Sequence, residues 1–393
     1  MNVKIAGIIA EYNPLHRGHV YHMEQTRARG ADKIVAVLGG EMTQRGEMAM
    51  FDKFARARSA LQAGADAVVE LPAVYAARSA RDFALGGVSV IAALGADMIS
   101  FGSETGDITA LKSLADKLEN ETEELSALIK AGLDGGMGYP AARAEAVKRL
   151  YPELSPLMAS PNDALALEYL QALIRLKADI TPVAVKRQGD YHDGGEMSAS
   201  CIRKLIREGR TGEALKMLPE ETREIYASEL PDGINDPSLL EAHVLLALRS
   251  YDPPAEGEGL RQLISNTSRK YPALSDVADA CVSRRYTRAR VMREIAEMWL
   301  DLPPVSERLP YVRLLGAKKG GEQLLKELKR RAGGLLVSDP VKLRDDPVFR
   351  AECRLTDAWG LGCLKSEYRL PGRELTQGFI SVQIPAAEAP RNT

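Results

Sequence analysis

The chain has 393 residues, which is enough for two or three domains with separate cores. Hydrophobic residues make up 45% and charged residues 27%, as in a soluble globular protein, and the net charge of −2 gives no global sign of nucleic-acid binding. No apolar run approaches the roughly 20 residues that cross a bilayer, so we expect no membrane partner.

The N-terminal stretch and the cysteines indicate where in the cell we expect the protein. The opening stretch MNVKIAGIIAEYNP lacks a basic segment and a small-residue cleavage site, so we interpret it as a core strand, not a signal peptide. The four cysteines are scattered and form no C-x-x-C pair. We therefore expect reduced thiols, no structural zinc and a cytoplasmic protein.

Over the first half of the chain, short runs rich in Val and Ile alternate with helix-length segments such as 51–65 and 80–96. The apolar runs cover 3–10, 33–40, 66–72, 97–103 and 180–187. Strands that alternate with helices imply right-handed crossovers, and hence a mostly parallel α/β sheet covered on both faces. Ligands of such sheets bind outside the carboxyl ends of the strands, near a switch point in strand order.

The pattern changes after about residue 230. The segment 230–238 carries two Pro, a Gly and several Asp or Asn residues, which is typical of a linker. Helical periodicity dominates beyond it. We therefore predict one domain at 1–230 and a mainly α-helical domain at 231–393.

Three of the five histidines, His16, His19 and His22, lie within seven positions, directly after the first predicted strand. His16 and His19 could be metal ligands, but zinc sites on one helix usually use H-x-x-x-H with a neighbouring Glu. They could also be satisfied polar groups at a helix start. We favour a third interpretation, phosphate chemistry, and expect both side chains to be exposed to the site.

Phosphate chemistry suits the pattern because the first turn of a helix has unpaired N–H groups and a positive dipole end. Gly18 lets a nucleotide approach the backbone closely. Two imidazoles can then donate hydrogen bonds to an α- or β-phosphate and stabilise the charge that develops as pyrophosphate leaves.

H-x-G-H after a first strand resembles the signature of the nucleotidyltransferase superfamily, whose catalytic domain is Rossmann-like. Members of that superfamily hold the triphosphate with a late segment of the type I-S-S-T-x-I-R, and this chain has MSASCIRKLI at 197–206. We expect Ser200 at a helix N-cap with its hydroxyl free for phosphate, and Arg203 as a fixed positive charge. The alternative for this segment is a simple helix cap.

Further motifs resemble, in order and spacing, the bacterial tRNA(Met) cytidine acetate ligase family over nearly the whole chain. They are IIAEYNPLHRGHVYH, GGEMTQRGEMAMFDKFARARSAL, VELPAVYA, FGSETGD, SPNDALALEYL and VAVKRQGDYHD. The resemblance implies that ATP, with Mg²⁺ on its triphosphate, activates acetate as acetyl-adenylate. It also implies transfer of the acetyl group to N4 of the wobble cytidine of elongator tRNA(Met), which gives N4-acetylcytidine.

The resemblance also implies site residues, with His16 and His19 catalytic. The ATP-binding residues would be Ile9, Ala10, Glu11, Tyr12, Asn13, Pro14, Leu15, His16, Arg17, Gly18, His19, Val20, Tyr21, His22, Gly102, Asn162 and Arg187, with Ser200 and Arg203. Asn162 could instead be a helix N-cap, and Arg187 could form a surface salt bridge. The chain departs from the family at Leu15 and Arg17, where Phe and Asn are common.

Two further groups are candidates for contacts with substrates. After the second strand, Gln44, Arg45, Asp52 and Lys53 could contact acetate or tRNA, or could form a solvated face. Residues 261–330 hold 15 Lys or Arg against 8 Asp or Glu, in an otherwise acidic chain. This excess favours RNA binding through Arg284, Arg285, Arg288, Arg290, Lys318 and Lys319, with Tyr286, Arg293 and Arg313 nearby.

Two other functions remain open from the sequence. A nucleotidyltransferase that adenylylates or cytidylylates a small metabolite would need only the first 210 residues. An RNA-binding protein with a regulatory nucleotide site is the other alternative, and it would be favoured by a degraded H-R-G-H motif, which is intact here.

Overall fold

The structure, a computed structural model, describes residues 3–187, 198–252, 259–306 and 308–383. Within these ranges eight strands form one sheet. They are β1 (Ile5–Ala10), β2 (Lys33–Gly39), β3 (Ala67–Leu71), β4 (Met98–Ser103), β5 (Thr181–Lys186), β6 (Val312–Lys318), β7 (Leu336–Val337) and β8 (Ile380–Val382).

Helices connect the first five strands and cover the sheet. They are α1 (Arg17–Ala28), α2 (Lys53–Gln62), α3 (Ala73–Ala76), α4 (Ala80–Ala93), α5 (Ile108–Glu119), α6 (Glu123–Asp134), α7 (Tyr139–Leu150) and α8 (Pro161–Leu176).

The remaining helices follow β5. They are α9 (Ala199–Arg207), α10 (Thr211–Met217), α11 (Glu220–Ala227), α12 (Glu241–Ser250), α13 (Gly259–Ser268), α14 (Leu274–Cys281), α15 (Arg288–Leu300), α16 (Glu322–Ala332), α17 (Pro347–Leu361) and α18 (Arg373–Thr376). Short 3₁₀ turns lie at Ser155–Met158, Pro237–Leu240, Gly333–Leu335, Pro340–Leu343 and Ser366–Arg369.

The sheet has the strand order β5-β4-β1-β2-β3-β6-β7, with β8 beside β6. Strands β1 to β5 are mutually parallel, as the alternation of strands and helices predicts. From β1 the chain moves outward through β2 and β3, and then returns to add β4 and β5 on the other side. The switch point therefore lies between β1 and β4. In sheets of this kind the ligand-binding crevice is the region outside the carboxyl ends of the strands at that point.

Helix α4 lies close against β1 because Gly87 has no side chain. A Cβ atom at that position would overlap the side chain of Ile9. The apolar residues of β2 and β3 are buried, and those of β1 are buried up to Ile8, whereas Ile9 and Ala10 at its carboxyl end are half-buried. The sheet centre below the crevice is therefore closely packed.

The second half of the chain adds to this sheet, which the sequence did not predict. β6 pairs antiparallel with β3, and β7 and β8 pair parallel with β6. The described residues between 231 and 383 are mainly helical as expected, but the sheet crosses the boundary that we placed at residue 230. That boundary itself stays a prediction.

A buried ion cluster joins the two halves. The Lys53 ammonium in α2 forms ion pairs with Glu70 of β3 and Glu374 of α18, and both Lys53 and the carboxylates are fully buried. Arg313 of β6 pairs with the same two carboxylates, its Nη1 lying 3.3 Å from Glu70 Oε2. Burial favours a neutral Lys53, but the carboxylates outweigh it and raise its pKa.

Two sequence interpretations are wrong at this cluster. Lys53 is not a substrate contact, and Arg313 is not part of an RNA surface, because both side chains are enclosed. Asp52 is also unavailable, since it caps α2 and pairs with Arg373 at 2.5 Å. None of the helices in the described ranges is long and apolar enough to span a bilayer.

Replacing Lys53 with Met should lower the free energy of unfolding by about 3–5 kcal/mol, because the buried carboxylates lose their shared cation. Urea denaturation measures this change. Lys112→Met on the exposed face of α5 is the matched control, and its effect should stay within about 0.5 kcal/mol. Equal midpoints for Lys53→Met and the control would show that the cluster does not stabilise the fold.

Candidate active site

Two histidines form the start of α1. His16 is the N-cap, and its Nδ1 accepts a hydrogen bond from the Gly18 backbone N–H at 3.1 Å. The Nδ1 of His19 accepts one from the His16 backbone N–H, also at 3.1 Å. A backbone N–H can only donate, so both imidazoles are unprotonated at Nδ1 and, when neutral, carry their proton on Nε2. The pair is a capping box built from histidines.

The two rings are stacked, with centroids 3.8 Å apart. Burial, followed by the positive charge of Arg187, lowers the pKa of His16 to about 4. Burial and the neighbouring histidines and Arg187 lower the pKa of His19 well below its usual value. Both side chains are therefore neutral near pH 7, and each carries an Nε2–H group that can donate a hydrogen bond. Our expectation that both are exposed is wrong, because His16 is only 5% exposed and His19 is half-buried.

His22 has a different position. Its Nε2 lies 2.9 Å from the Ser100 hydroxyl of β4, and that hydroxyl lies 2.7 Å from the hydroxyl of Thr26. Thr26 donates its proton to the His22 carbonyl, so Ser100 donates to Thr26 and accepts from His22 Nε2–H. Burial lowers the pKa of His22 to about 4, and the side chain ties α1 to β4 across the switch point.

The loop between β1 and α1 is fixed by distant side chains. Arg203 of α9 donates to the Asn13 carbonyl at 2.6 Å, and the Asn13 Oδ1 accepts from the Met50 N–H at 2.9 Å. The Tyr226 hydroxyl accepts from the Leu15 N–H at 2.9 Å. Within the predicted ATP segment, five residues are buried, namely Tyr12, Asn13, Pro14, Leu15 and His16, whereas Arg17 and Gly18 are exposed and the other seven are half-buried.

The other predicted ATP-binding residues, Gly102, Asn162 and Arg187, lie next to one another in the structure. The Arg187 Nη1 at the end of β5 donates to Asn162 Oδ1 at 3.2 Å. Gly102 of β4 lies next to this side chain, since a Cβ atom there would be in van der Waals contact with Arg187 Cγ at 3.7 Å. The Asn162 amide donates to Glu104 at 2.6 Å. Asn162 is thus a first-turn residue and not the N-cap of α8, which is Ser160.

Glu104 is a positioning residue that the sequence did not single out. Its carboxylate accepts the backbone N–H groups of Asn162 and Asp163 at the start of α8, at 3.3 and 2.9 Å. It satisfies two of the unpaired donors of that helix and fixes the Asn162 amide beside Arg187.

The predicted cap of α9 is off by two residues. Ser198, not Ser200, is the N-cap, and its Oγ accepts from the Cys201 N–H at 3.2 Å. Ser200 is exposed in the first turn, with its hydroxyl 2.9 Å from that of Ser198. The motif residues 188–197 that precede this cap lie outside the described residues.

The turn after β2 links the site to the helical half. The Gln44 N–H donates to Glu11 Oε1 at 2.7 Å, and the Gln44 carbonyl accepts from Arg293 of α15 at 3.1 Å. Gly46 has φ +78°, and a Cβ atom there would lie 2.5 Å from the backbone nitrogen of Arg293. Arg45 projects as an exposed side chain from this tightly held turn.

The predicted RNA-binding residues are in different environments. Arg284 and Arg285 are exposed, whereas Arg288 pairs with Asp279 and Arg290 lies 3.9 Å from Glu294. Of the two lysines after β6, Lys319 is exposed, and half-buried Lys318 donates to the Gly64 carbonyl at 3.0 Å.

Potential metal ligands group only at Glu70, Glu352 and Glu374 within the described ranges. The Lys53 ammonium pairs with these carboxylates, so the cluster already has its cation.

Comparison with known proteins defines the class of this chain. The HIGH Nucleotidyl Transferase family matches residues 3–369, and the chain belongs to that family. A tRNA(Met) cytidine acetate ligase of Acetivibrio thermocellus is 34% identical, with 96% of this chain and all of the relative aligned. One of Fervidobacterium nodosum is 36% identical over 86% of this chain and 84% of the relative. Within its superfamily the chain is therefore a member of the tRNA(Met) cytidine acetate ligase family, a family of ligases.

Two solved structures of a similar protein support the same assignment of family and fold. The crystal structure of Thermotoga maritima TmcAL bound with α-thio ATP has a TM-score of 0.86 and 28% identity, and covers 96% of this chain and 100% of that chain. The apo structure of the same protein has a TM-score of 0.89 and 27% identity, with the same coverage. The predicted fold, with its parallel sheet and nucleotidyltransferase topology, is confirmed.

Substitution can separate the two roles of His16, as the N-cap of α1 and as a hydrogen-bond donor to phosphate. His16→Asn should keep the stability of α1, because Asn is a good N-cap, but should slow ATP-dependent pyrophosphate release by roughly 10²–10³. His16→Ala should slow the reaction equally and also lower the unfolding free energy by about 0.5–2 kcal/mol. A fully active His16→Asn variant would mean that this histidine is only a cap.

Stability should fall in mild acid. The pKa values of His16 and His22 are about 4 in the folded protein and about 6.5 when unfolded, so the unfolded state binds more protons between these limits. The unfolding free energy should therefore decline as pH drops from about 6.5 to about 4, as measured by urea titration at each pH. His22→Gln should reduce this decline. An identical pH dependence in the variant would rule out burial of a neutral His22.

Proposed function

We propose that this enzyme activates acetate with ATP and transfers the acetyl group to N4 of the wobble cytidine of elongator tRNA(Met). An acetate oxygen attacks the α-phosphorus of ATP, the bond to the bridging oxygen breaks, and pyrophosphate leaves. The cytidine amine then attacks the acetyl carbon, loses a proton and releases AMP, which gives N4-acetylcytidine.

The observation that carries the first step is the capping box of His16 and His19. Its two neutral imidazoles donate from Nε2, and Arg187 is near enough for its charge to depress the pKa of both. Donors fixed before the reaction stabilise the phosphate oxygens as negative charge builds up on the leaving pyrophosphate. Because the donors are neutral, they do not hold the product as a full ion pair would.

The other predicted ATP residues take supporting roles in this proposal. Asn162, whose amide is fixed by Glu104, and Gly102 would line the nucleoside, and Arg187, Ser200 and Arg203 would contact the triphosphate. ATP enters as its Mg²⁺ complex, and the metal is part of the substrate. The N–H groups and cations of the site suit phosphate oxygens that the metal leaves free.

Support for the second step comes from the contact between the site and the helical half. The Gln44 peptide is held by Glu11 on the side of the nucleotide site and by Arg293 on the side of α15. Exposed Arg45 lies on this same turn, and exposed Arg284 and Arg285 precede α15. The relatives act, by their names, on tRNA(Met). We therefore propose that Arg45 contacts acetate or the acceptor cytidine, and that Arg284, Arg285 and Lys319 contact the RNA backbone.

Purified enzyme incubated with labelled acetate, MgATP and elongator tRNA(Met) should place the label on one cytidine of the tRNA. Nucleoside mass spectrometry of the digested tRNA measures the product. Acetate-dependent ATP–pyrophosphate exchange without tRNA should also be detectable, because activation precedes transfer. Label on a small metabolite, with tRNA without effect, would instead establish the nucleotidyltransferase that does not use RNA.

A further inference from the structure

A second cationic surface lies where α12 and α13 end. Arg249, Arg269, Lys270, Tyr271 and Pro272, here called the 249–272 patch, line an open pocket of about 500 Å³. None of the described residues that line it carries a carboxylate. The cations are separated in the sequence and are brought together by the packing of α12 on α13, so the local charge pattern does not predict this surface.

Backbone carbonyls, not carboxylates, hold the cations of the 249–272 patch. The Arg249 guanidinium donates to the carbonyls of Ser268 and Tyr271 at 2.9 and 3.2 Å. Arg269 donates to the Arg249 carbonyl at 2.9 Å. Carbonyls at helix ends orient a guanidinium without neutralising it. Within the described ranges, Arg249, Arg269 and Lys270 form no ion pair.

The 249–272 patch differs from the predicted RNA-binding stretch around Arg288 and Arg290 in the ion-pair partners of its cations. Arg288 and Arg290 face Asp279 and Glu294, so part of their charge is already compensated. Among the residues that the structure describes, the three cations of the 249–272 patch have no carboxylate partner, and they lie beside the Tyr271 side chain, which is 41% exposed. Closely spaced cations next to an open aromatic face suit a polymer that offers both phosphates and base faces.

We infer that the 249–272 patch binds RNA, with the cations on backbone phosphates and Tyr271 stacked on an unpaired base. The inference rests on the proposed function, in which RNA is the acetyl acceptor, and it adds a contact surface outside the reaction centre. An acidic protein would match the charge, but it would not use the aromatic face in the same way.

Packed helices connect the 249–272 patch to the active site. Helices α12 to α15 share one apolar core that includes Leu248, Ile264 and Ile295. Arg293 on α15 donates to the Gln44 turn of the site. RNA bound on the patch is therefore held by the same rigid bundle that contacts the catalytic crevice.

The test compares two double variants that remove equal charge. Arg269→Ala with Lys270→Ala alters the patch. Lys326→Ala with Lys329→Ala alters the exposed face of α16, whose last turn places Arg331 Nη1 3.2 Å from Asp97 at the amino edge of the sheet, opposite the crevice. Binding of an elongator tRNA(Met) transcript is followed by fluorescence anisotropy across a range of salt concentrations.

The patch variant should bind tRNA roughly ten- to fiftyfold more weakly near 0.1 M salt, because it loses phosphate contacts. Each lost contact should also make the slope of log K against log salt shallower by about 0.7–0.9. The α16 variant should match wild type, and both should keep wild-type acetate-dependent ATP–pyrophosphate exchange, which also reports folding. Tyr271→Ala should weaken binding with an unchanged slope, and Tyr271→Phe should not.

Wild-type affinity and salt slope in the patch variant would overturn the inference, as would an equal loss in the α16 variant. If Arg269→Ala disturbs the fold, Lys270→Glu serves in its place, because Lys270 is exposed. Wild-type enzyme that neither binds nor acetylates tRNA would instead overturn the proposed function, so the two failures are distinguishable.

Discussion

The reciprocal hydrogen bonds at the start of α1 are the constraint on which the site depends. Each imidazole accepts a backbone N–H at Nδ1, so the fold fixes both its orientation and its tautomer. Burial then keeps the rings neutral. A helix N-terminus already attracts anions through its unpaired N–H groups. Here the caps themselves become additional donors, so two imidazoles and the helix end can act on the same phosphate group.

The rest of the fold places this capping box. Strand β1 ends at the switch point, and the His22–Ser100–Thr26 chain holds α1 against β4 on the other side of the crevice. Arg187 arrives from β5 and is oriented by Asn162, which in turn is held by Glu104. His16, His19, Asn162 and Arg187 are thus fixed by a second side chain or a backbone group before any ligand is bound, which is the condition for electrostatic catalysis without reorganisation.

The two halves of the chain are one structural unit at the sheet. The cations Lys53 and Arg313 share the carboxylates Glu70 and Glu374, so α2, β3, β6 and α18 meet at one buried cluster. Arg293 and the Gln44 turn form a second connection next to the crevice. The helical bundle, which we propose binds the RNA, is therefore positioned relative to the nucleotide site by packed elements and not by a linker.

Local patterns predicted much of this structure. The five parallel strands, the strand-then-helix context of H-R-G-H and the meeting of Gly102, Asn162 and Arg187 followed from runs, spacing and resemblance. What could not be predicted depends on partners far apart in sequence. Arg313 of β6 is tolerated in the core only because Glu70 and Glu374 neutralise it. Lys53 is buried for the same reason, because it pairs with the same two carboxylates. Ser198 caps α9 instead of Ser200, a two-residue shift that composition does not resolve.

Catalysis by this site requires that His16 and His19 are neutral at pH 7 and protonated on Nε2. Nitrogen-15 NMR of histidine-labelled enzyme distinguishes the two tautomers and the imidazolium, with His16→Asn and His19→Ala spectra for assignment. We expect a protonated Nε2 and an unprotonated, hydrogen-bonded Nδ1 in both rings, unchanged down to about pH 5. A proton on Nδ1 in either ring, or a doubly protonated ring at pH 7, would contradict it.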